Sequence, residues 1–275
     1  MKKRKIYLAA VLCVAILAGS LSGCSSAEKE ESRKQSADQK ESCELMVAAA
    51  ASLEYAFEEQ LIPMFEKAHP EVTVKGTYDS SGKLQTQIEE GLEADLFMSA
   101  AMQQMEALTE EKLVDASSVR KLLENQIVLI TPSEEGLDLA DFTDITKADT
   151  IAIGDPASVP AGQYAREALT SLGLWEEVLS KASLGTNVTE VLNWVAEGSA
   201  QAGVVYATDA ATTEQVKVIA AAPKGSLSEP VIYPAGLVQA SANKEEAGAF
   251  LEFLQSEEAL KVFEKYGFIS YEEEK

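Results

Sequence analysis

Four segments of the sequence carry small or hydroxyl-bearing residues at points where a helix is predicted to begin. They are residues 49–53, 79–83, 159–163 and 186–189. Each contains a cap-forming residue, a small residue or a helix-starting proline. The first turn of a helix has unpaired N–H groups and about half a positive charge. Four such turns directed at one point would bind an anion without lysine or arginine, although ordinary capping also explains each segment taken alone.

The sequence offers few of the residues that enzymes use. Its single histidine, His69, falls at a predicted helix end and is expected at the surface. There is no Gly-x-Ser-x-Gly motif, no phosphate-binding Gly-rich loop and no cluster of cation ligands. We therefore predict a binding protein without catalytic residues or a cofactor. Two alternatives stay open. The chain could be a lipoprotein enzyme that shares the fold of such a binding protein, or a protein whose acidic surface binds a partner.

The formal net charge of −22 argues against nucleic acid as a partner. Binding to nucleic-acid phosphates needs clustered lysine and arginine, whereas acidic residues outnumber basic ones here by 45 to 23. Overall acidity bears on solubility and not on the chemistry of a local site. It therefore leaves the anion-binding hypothesis open.

Short apolar runs alternate with amphipathic segments from residue 44 onward, a pattern typical of α/β units. The folded part, about 230 residues long, exceeds one ordinary core and suggests two lobes. Pro63 should kink or restart the helix that contains it. We predict strands at 44–51, 71–78, 94–99, 126–131, 150–154, 202–206, 216–219 and 231–233, and helices at 53–68, 83–90, 161–172, 188–197 and within 244–266.

The N-terminus has the order of a secretory signal, with basic residues 2–5, an apolar run at 6–17 and then small residues. The run is shorter than the ~20 residues of a membrane-spanning helix. Leu21-Ser22-Gly23-Cys24 resembles the bacterial lipobox. We therefore expect a lipoprotein signal peptide at 1–23 and a lipidated Cys24. The mature protein would then be held on the extracytoplasmic face of the cell membrane by lipid alone.

Residues 24–43 are polar, contain no large apolar side chain before Cys43, and are predicted to be a flexible tether. Once the signal is removed and Cys24 is lipidated, Cys43 is the one cysteine left. No disulfide can then form within the mature chain. We expect Cys43 to be a passive residue at the start of the fold.

Several segments resemble the molybdate-binding proteins of ABC transporters, over about residues 44–270. They are 47–53, Ser80-Ser81, 94–100, 153–156, 159–165, 203–206, Tyr233-Pro234 and 266–268. The resemblance implies an α/β, two-lobed type II periplasmic binding protein fold with the ligand cleft between the lobes. We assign residues 44–131 and 231–275 to the first lobe and 132–230 to the second. The protein would be a monomer that captures molybdate, or tungstate, for import by an ABC permease.

The resemblance also implies the ligand-binding residues, which by matched motif are Ser52, Ser81, Ala161, Val188 and Tyr206. The Val188 position is open to a one-residue shift, which would place Asn187 or Thr189 there. Molybdenum would be bound only as its oxyanion, with no side chain as a direct cation ligand.

A site made only of hydrogen-bond donors favours a fully deprotonated dianion, because a protonated oxygen would leave a donor unmatched. Molybdate, tungstate and sulfate meet this condition, and hydrogen phosphate does not. Asp79 and Asp209 would change the selectivity if either pointed inward, but we expect both to be solvated or capping carboxylates. Another oxyanion, such as sulfate or phosphate, stays open as the ligand.

Overall fold

The computed structural model describes residues 42–134 and 137–272. The signal peptide, Cys24 and almost all of the predicted tether lie outside these residues. In the described part, no helix combines the length and the apolar character needed to cross a membrane.

Two β-sheets with helices packed against them make up the described chain. The strands are β1 (Cys43–Ala50), β2 (Val72–Asp79), β3 (Leu96–Met98), β4 (Arg120–Asn125), β5 (Ile127–Pro132), β6 (Ile151–Gly154), β7 (Ala182–Gly185), β8 (Ala202–Tyr206), β9 (Val216–Ala221), β10 (Val231–Leu237) and β11 (Ile269–Ser270). The helices are α1 (Glu54–Ala56), α2 (Ile62–Ala68), α3 (Ser81–Glu89), α4 (Met102–Glu110), α5 (Pro160–Ser171), α6 (Trp175–Leu179), α7 (Val188–Ala196), α8 (Ala207–Ala210), α9 (Lys244–Leu254) and α10 (Glu257–Lys265).

The first sheet has the order β11-β4-β10-β3-β1-β2. Its strands β1, β2 and β3 are parallel, and helices connect them. Ala50 pairs with Asp79 at the carboxyl ends of β1 and β2. The chain segments that follow these two strands, which carry Ser52 and Ser81, therefore leave the sheet at one edge.

The second sheet has the order β7-β6-β8-β5-β9, in which β6 is parallel to both β7 and β8. Gly154 and Gly185 pair at the carboxyl ends of β6 and β7. Helix α5 begins after the first of these strands and α7 after the second. Tyr206 is the last residue of β8. The predicted residues of the second lobe therefore share one sheet edge as well.

The chain passes between the sheets earlier than predicted. We assigned residues up to 131 to the first lobe, but β5 pairs with β8 and β9 in the second sheet. The first crossing is therefore at Gln126, and residues 222–230 form the return. The apolar run of β5 predicts a buried strand without saying which sheet it joins. The predicted tether also extends too far, because Cys43 already pairs with Val72 in β1.

The predicted helix at 53–68 is a chain of helical turns of different pitch. A 3₁₀ turn (Ala51–Leu53) leads into α1, a π-helical segment (Phe57–Leu61) follows, and α2 then begins. Pro63 lies in the first turn of α2. A proline has no N–H to donate to an earlier carbonyl, and a wider turn before it relieves its ring. The restart predicted at Pro63 is therefore present.

Candidate functional site

One small cavity lies where the two sheets meet, and all five predicted ligand residues line it. The volume inside it that is open to the centre of a water molecule is about 10 Å³. The lining residues are Ala50, Ala51, Ser52, Asp79, Ser80, Ser81, Ala100, Val159, Pro160, Ala161, Val188 and Tyr206. None of them is a lysine or an arginine. Apart from Ser52 and Asp79, which are partly buried, these residues are buried.

Four helical N-termini converge on this cavity. The 3₁₀ turn that contains Ser52 and helix α3 approach from the first sheet, while α5 and α7 approach from the second. No side chain caps the first turn of α3 or α5. Pro160 opens α5 and places Ala161 second in the helix, where a backbone N–H has no carbonyl partner within the helix. The capping residues and the proline mark where each of these helical turns begins. Together the four N-termini form a geometry that suits an anion.

The N-terminus of α5 reaches the cavity through a close approach to β6. Gly162 packs against Gly154 so tightly that a Cβ atom at residue 162 would overlap the carbonyl oxygen of Gly154. Glycine is therefore required at position 162 for steric reasons. This contact fixes the position of the neighbouring Ala161 N–H.

The backbone of Ala100 connects two predicted ligand residues, Ser81 of the first lobe and Tyr206 of the second. Its N–H donates to Ser81 Oγ over 3.0 Å, and its carbonyl accepts from Tyr206 Oη over 3.1 Å. Burial raises the pKa of Tyr206 well above its ordinary value, so the hydroxyl keeps its proton. The sequence predicted that Tyr206 would donate to a ligand. In this structure its proton instead joins β8 to the segment after β3.

Further hydrogen bonds join the two lobes around the cavity. Gly82 N–H donates to the Ser158 carbonyl over 2.9 Å. Gln104 Nε2 donates to Gln163 Oε1 over 3.1 Å. Together with the bond from Tyr206, these contacts hold the lobes in a closed arrangement over the cavity.

Ser80 is a cavity residue that the sequence interpretation passed over in favour of Ser81. It is buried, and its Oγ has no hydrogen-bond partner. Although serine is a favoured N-cap, this hydroxyl does not cap α3. A buried polar atom without a partner is costly, so it marks a place where a bound group is expected. The pair Ser80-Ser81 was visible in the sequence, but the sequence did not show that both line the cavity.

Asp79 lines the cavity, and its carboxylate accepts hydrogen bonds from neighbouring protein groups. Its Oδ1 accepts from the N–H of Ser80 over 2.8 Å and from Lys83 Nζ over 3.1 Å. Asn187 Nδ2 lies 3.5 Å from the same oxygen. Asp79 therefore lies in the cavity wall and does not cap the first turn of α3, which differs from the solvated or capping carboxylate that we expected.

Asp209 is a buried capping carboxylate at the start of α8, and it does not line the cavity. Its Oδ2 accepts from the Tyr206 N–H over 3.2 Å at the start of α8. Burial raises the pKa of Asp209 from 3.8 to about 7. A carboxyl group of this kind is protonated in the folded protein at a pH where it is ionised in the unfolded chain.

The raised pKa of Asp209 predicts a loss of stability with rising pH. Between about pH 4 and about 7 the folded state binds more protons than the unfolded state, so stability falls through this window and stays lower above it. Asp209→Asn should lack this loss, because an amide oxygen can accept the same Tyr206 N–H without ionising. Thermal unfolding of both proteins across the window measures the difference, and parallel curves would contradict the prediction.

No group of His, Cys, Asp or Glu side chains in the described ranges could hold a metal ion. His69 lies at the C-terminal end of α2, as expected, and its ring stacks on Phe65 with the ring centroids 4.3 Å apart.

Comparison with known proteins places these features in a family. The Bacillus subtilis protein named "Putative ABC transporter substrate-binding lipoprotein YvgL" is 39% identical over 267 residues, which cover 97% of this chain and 98% of that protein. The molybdate-binding protein ModA of Haemophilus influenzae is 38% identical over 232 residues, covering 82% and 90% of the two chains.

Among solved structures, the periplasmic molybdate-binding protein of Azotobacter vinelandii superposes with a TM-score of 0.72. The match covers 83% of this chain and 100% of that one, at 22% identity. This likeness confirms the predicted two-lobed periplasmic binding protein fold. The family model for bacterial extracellular solute-binding proteins matches residues 45–269, and the chain therefore belongs to that family.

Proposed function

We propose that this protein captures molybdate, or the closely similar tungstate, outside the cytoplasm and delivers it to an ABC-transporter permease. The observation that carries the proposal is the convergence of four helical N-termini on one buried cavity between the lobes. The names of the relatives support molybdate as the ligand. The five predicted residues, Ser52, Ser81, Ala161, Val188 and Tyr206, are the ones we propose to contact it.

The chemistry of the cavity favours an anion that accepts hydrogen bonds at every oxygen. Backbone N–H groups at the four helical N-termini, and the hydroxyls of the serines, are the available donors. Asp79 is the one carboxylate in the lining, and its contacts with Ser80 and Lys83 offset its charge. A tetrahedral dianion without protons matches such a site.

Closure of the lobes is part of the proposal. Ser52 and Ser81 belong to the first lobe, whereas Ala161, Val188 and Tyr206 belong to the second. A ligand shifts an open–closed equilibrium only through its higher affinity for one state. The closed state adds the contacts of the second lobe, so the ligand favours closure, and the closed form is the one a permease would bind.

The test is a ligand panel of molybdate, tungstate, sulfate, phosphate and organic anions. Thermal unfolding detects binding because a ligand that binds only the folded state raises its stability by mass action. Calorimetry then gives the affinities. Selective stabilisation by molybdate and tungstate is the expected result. A stronger response to sulfate or phosphate would reassign the ligand, and no response to any anion would refute the proposal.

Membrane attachment through Cys24 is a separate part of the proposal. The relative YvgL bears the word lipoprotein in its name. Cys24→Ala should yield a protein that is unprocessed or released from the membrane, because the residue that carries the lipid is missing. Fractionation and mass measurement of the N-terminus check this, with Cys43→Ala as the matched control. A Cys24→Ala protein that still fractionates as a processed lipoprotein would contradict it.

A further inference from the structure

A buried chain of hydrogen bonds runs from the cavity to the first crossing between the lobes. Ser52 Oγ lies 3.0 Å from Tyr233 Oη, and Tyr233 Oη lies 3.2 Å from Asn125 Nδ2. Asn125 is the last residue of β4, and Tyr233 lies in β10. Both are buried, and neither lines the cavity. Tyr233 contacts two residues of the cavity wall: its hydroxyl meets Ser52, and its ring packs edge-on against Tyr206 with the ring centroids 5.5 Å apart.

The orientation of the Asn125 amide is fixed by its other contacts. Its Oδ1 accepts from the N–H of Gln126 over 2.8 Å. A backbone N–H can only donate, so the amide oxygen must face Gln126. The amide nitrogen then faces Tyr233 and Thr208, and donates to Thr208 Oγ1 over 2.9 Å. An amide nitrogen cannot accept.

This orientation sets the direction of the next two hydrogen bonds. Tyr233 Oη accepts from Asn125, and its own proton is directed at Ser52 Oγ. Burial raises the pKa of Tyr233 well above its ordinary value, so that proton is retained. Ser52 Oγ then accepts from Tyr233, and its own proton is left for the cavity. Hydrogen bonds aligned in this way strengthen one another.

We propose that Asn125 and Tyr233 are positioning residues that hold Ser52 as a proton donor towards the cavity, and so select oxyanions whose oxygens carry no proton. The inference rests on the proposed function and adds a specificity mechanism to it. A protonated oxygen opposite Ser52 would bring two hydrogens together and leave a donor unmatched, which is unfavourable in a buried site. Sulfate and molybdate avoid this conflict at every oxygen, whereas hydrogen phosphate does not.

Asn125→Asp reverses the chain with almost no change in shape. A carboxylate oxygen in place of Nδ2 accepts the Tyr233 proton, Tyr233 Oη then accepts from Ser52, and the lone pairs of Ser52 face the cavity. Tyr233→Phe removes the hydrogen bond between Tyr233 and Ser52, so nothing on that side fixes the direction of the Ser52 proton. Tyr266→Phe is the matched control, because its hydroxyl bonds to Glu59 over 2.7 Å at the exposed surface.

The experiment compares sulfate with phosphate at mildly alkaline pH, where both carry two negative charges and only phosphate carries a proton. Affinities for wild type and variants are measured by calorimetric competition against molybdate. Repulsion from a new carboxylate acts on both anions alike and cancels in their ratio. Asn125→Asp should lower the preference for sulfate by at least about tenfold, the effect of one charge-assisted hydrogen bond. Tyr233→Phe should lower it less, and Tyr266→Phe should leave it unchanged.

A second comparison guards against a folding defect in Asn125→Asp. In a Ser52→Ala background there is no hydroxyl left to orient, so Tyr233→Phe should have no further effect on the preference. Independent, additive effects of the two substitutions would overturn the inference. An unchanged preference in both Asn125→Asp and Tyr233→Phe would also overturn it, while leaving the proposed function in place. A wild-type protein that binds none of these oxyanions would instead refute the proposed function, and this inference with it.

Discussion

Gly162→Ala is expected to destabilise the protein by about 1–3 kcal/mol and to weaken molybdate binding by at least about tenfold. The new methyl group would meet the backbone carbonyl of Gly154, which cannot rotate away as a side chain would. Helix α5 must therefore move outward from β6. This movement displaces the Ala161 N–H from the cavity, and hydrogen bonds weaken steeply when their geometry is lost.

Gly248→Ala is the matched control for this experiment. Gly248 also lies inside a helix, α9, but apart from the neighbouring backbone of that helix no atom lies within 4 Å of the position its Cβ would take. Alanine there should stabilise the protein by about 0.5–1 kcal/mol and leave binding unchanged. Chemical denaturation without ligand and calorimetry with molybdate measure both effects. Similar stability gains in the two variants would show that the contact between α5 and β6 is not close.

Tyr206→Phe is expected to weaken molybdate binding by about 1–3 kcal/mol, because it leaves the buried Ala100 carbonyl without its donor. The lost bond joins the two lobes, so the cost falls on the closed state. The equilibrium should therefore shift towards the open form as affinity falls. Calorimetry gives the affinity, and small-angle scattering with saturating molybdate gives the compaction.

The matched control for Tyr206→Phe is Tyr266→Phe, which removes a surface hydroxyl from the first lobe alone. It should change neither affinity nor compaction. If Tyr206→Phe bound molybdate as tightly as wild type, the Ala100 bond would not contribute to closure. Equal compaction with reduced affinity would mean that Tyr206 acts as a ligand contact only.

The helical N-termini of the site could be predicted because their signals are local. Pro160 and the cap-forming residues around Ser80 and Asn187 lie within a few residues of the turns they start. The hydroxyl partners could not be predicted in this way. Ser52 and Tyr233 are 181 positions apart, and nothing near either residue indicates the other. The direction of each of these hydrogen bonds depends on contacts that exist only in the folded protein.

The fold was predictable where a strand has a continuous apolar run, as in β1, β5 and β8. Strand β4 was missed because charged residues surround Leu122 and Leu123, so no run or clear alternation stands out. Helix α4 was missed because its only deeply buried apolar residues are Met105 and Leu108. The sheet that β5 joins depends on long-range pairing, which a single sequence does not contain.

The central position of β10 in the first sheet determines the order in which the two lobes can fold. β10 pairs with both β3 and β4, and no other strand of the described residues joins those two. A chain emerging from its N-terminus therefore cannot complete this sheet until residues 231–237 are available. The second sheet, by contrast, is contiguous from Ile127 to Ala221. During synthesis and export, the inserted lobe can form first, and the lobe that carries both chain ends must wait for nearly the whole polypeptide.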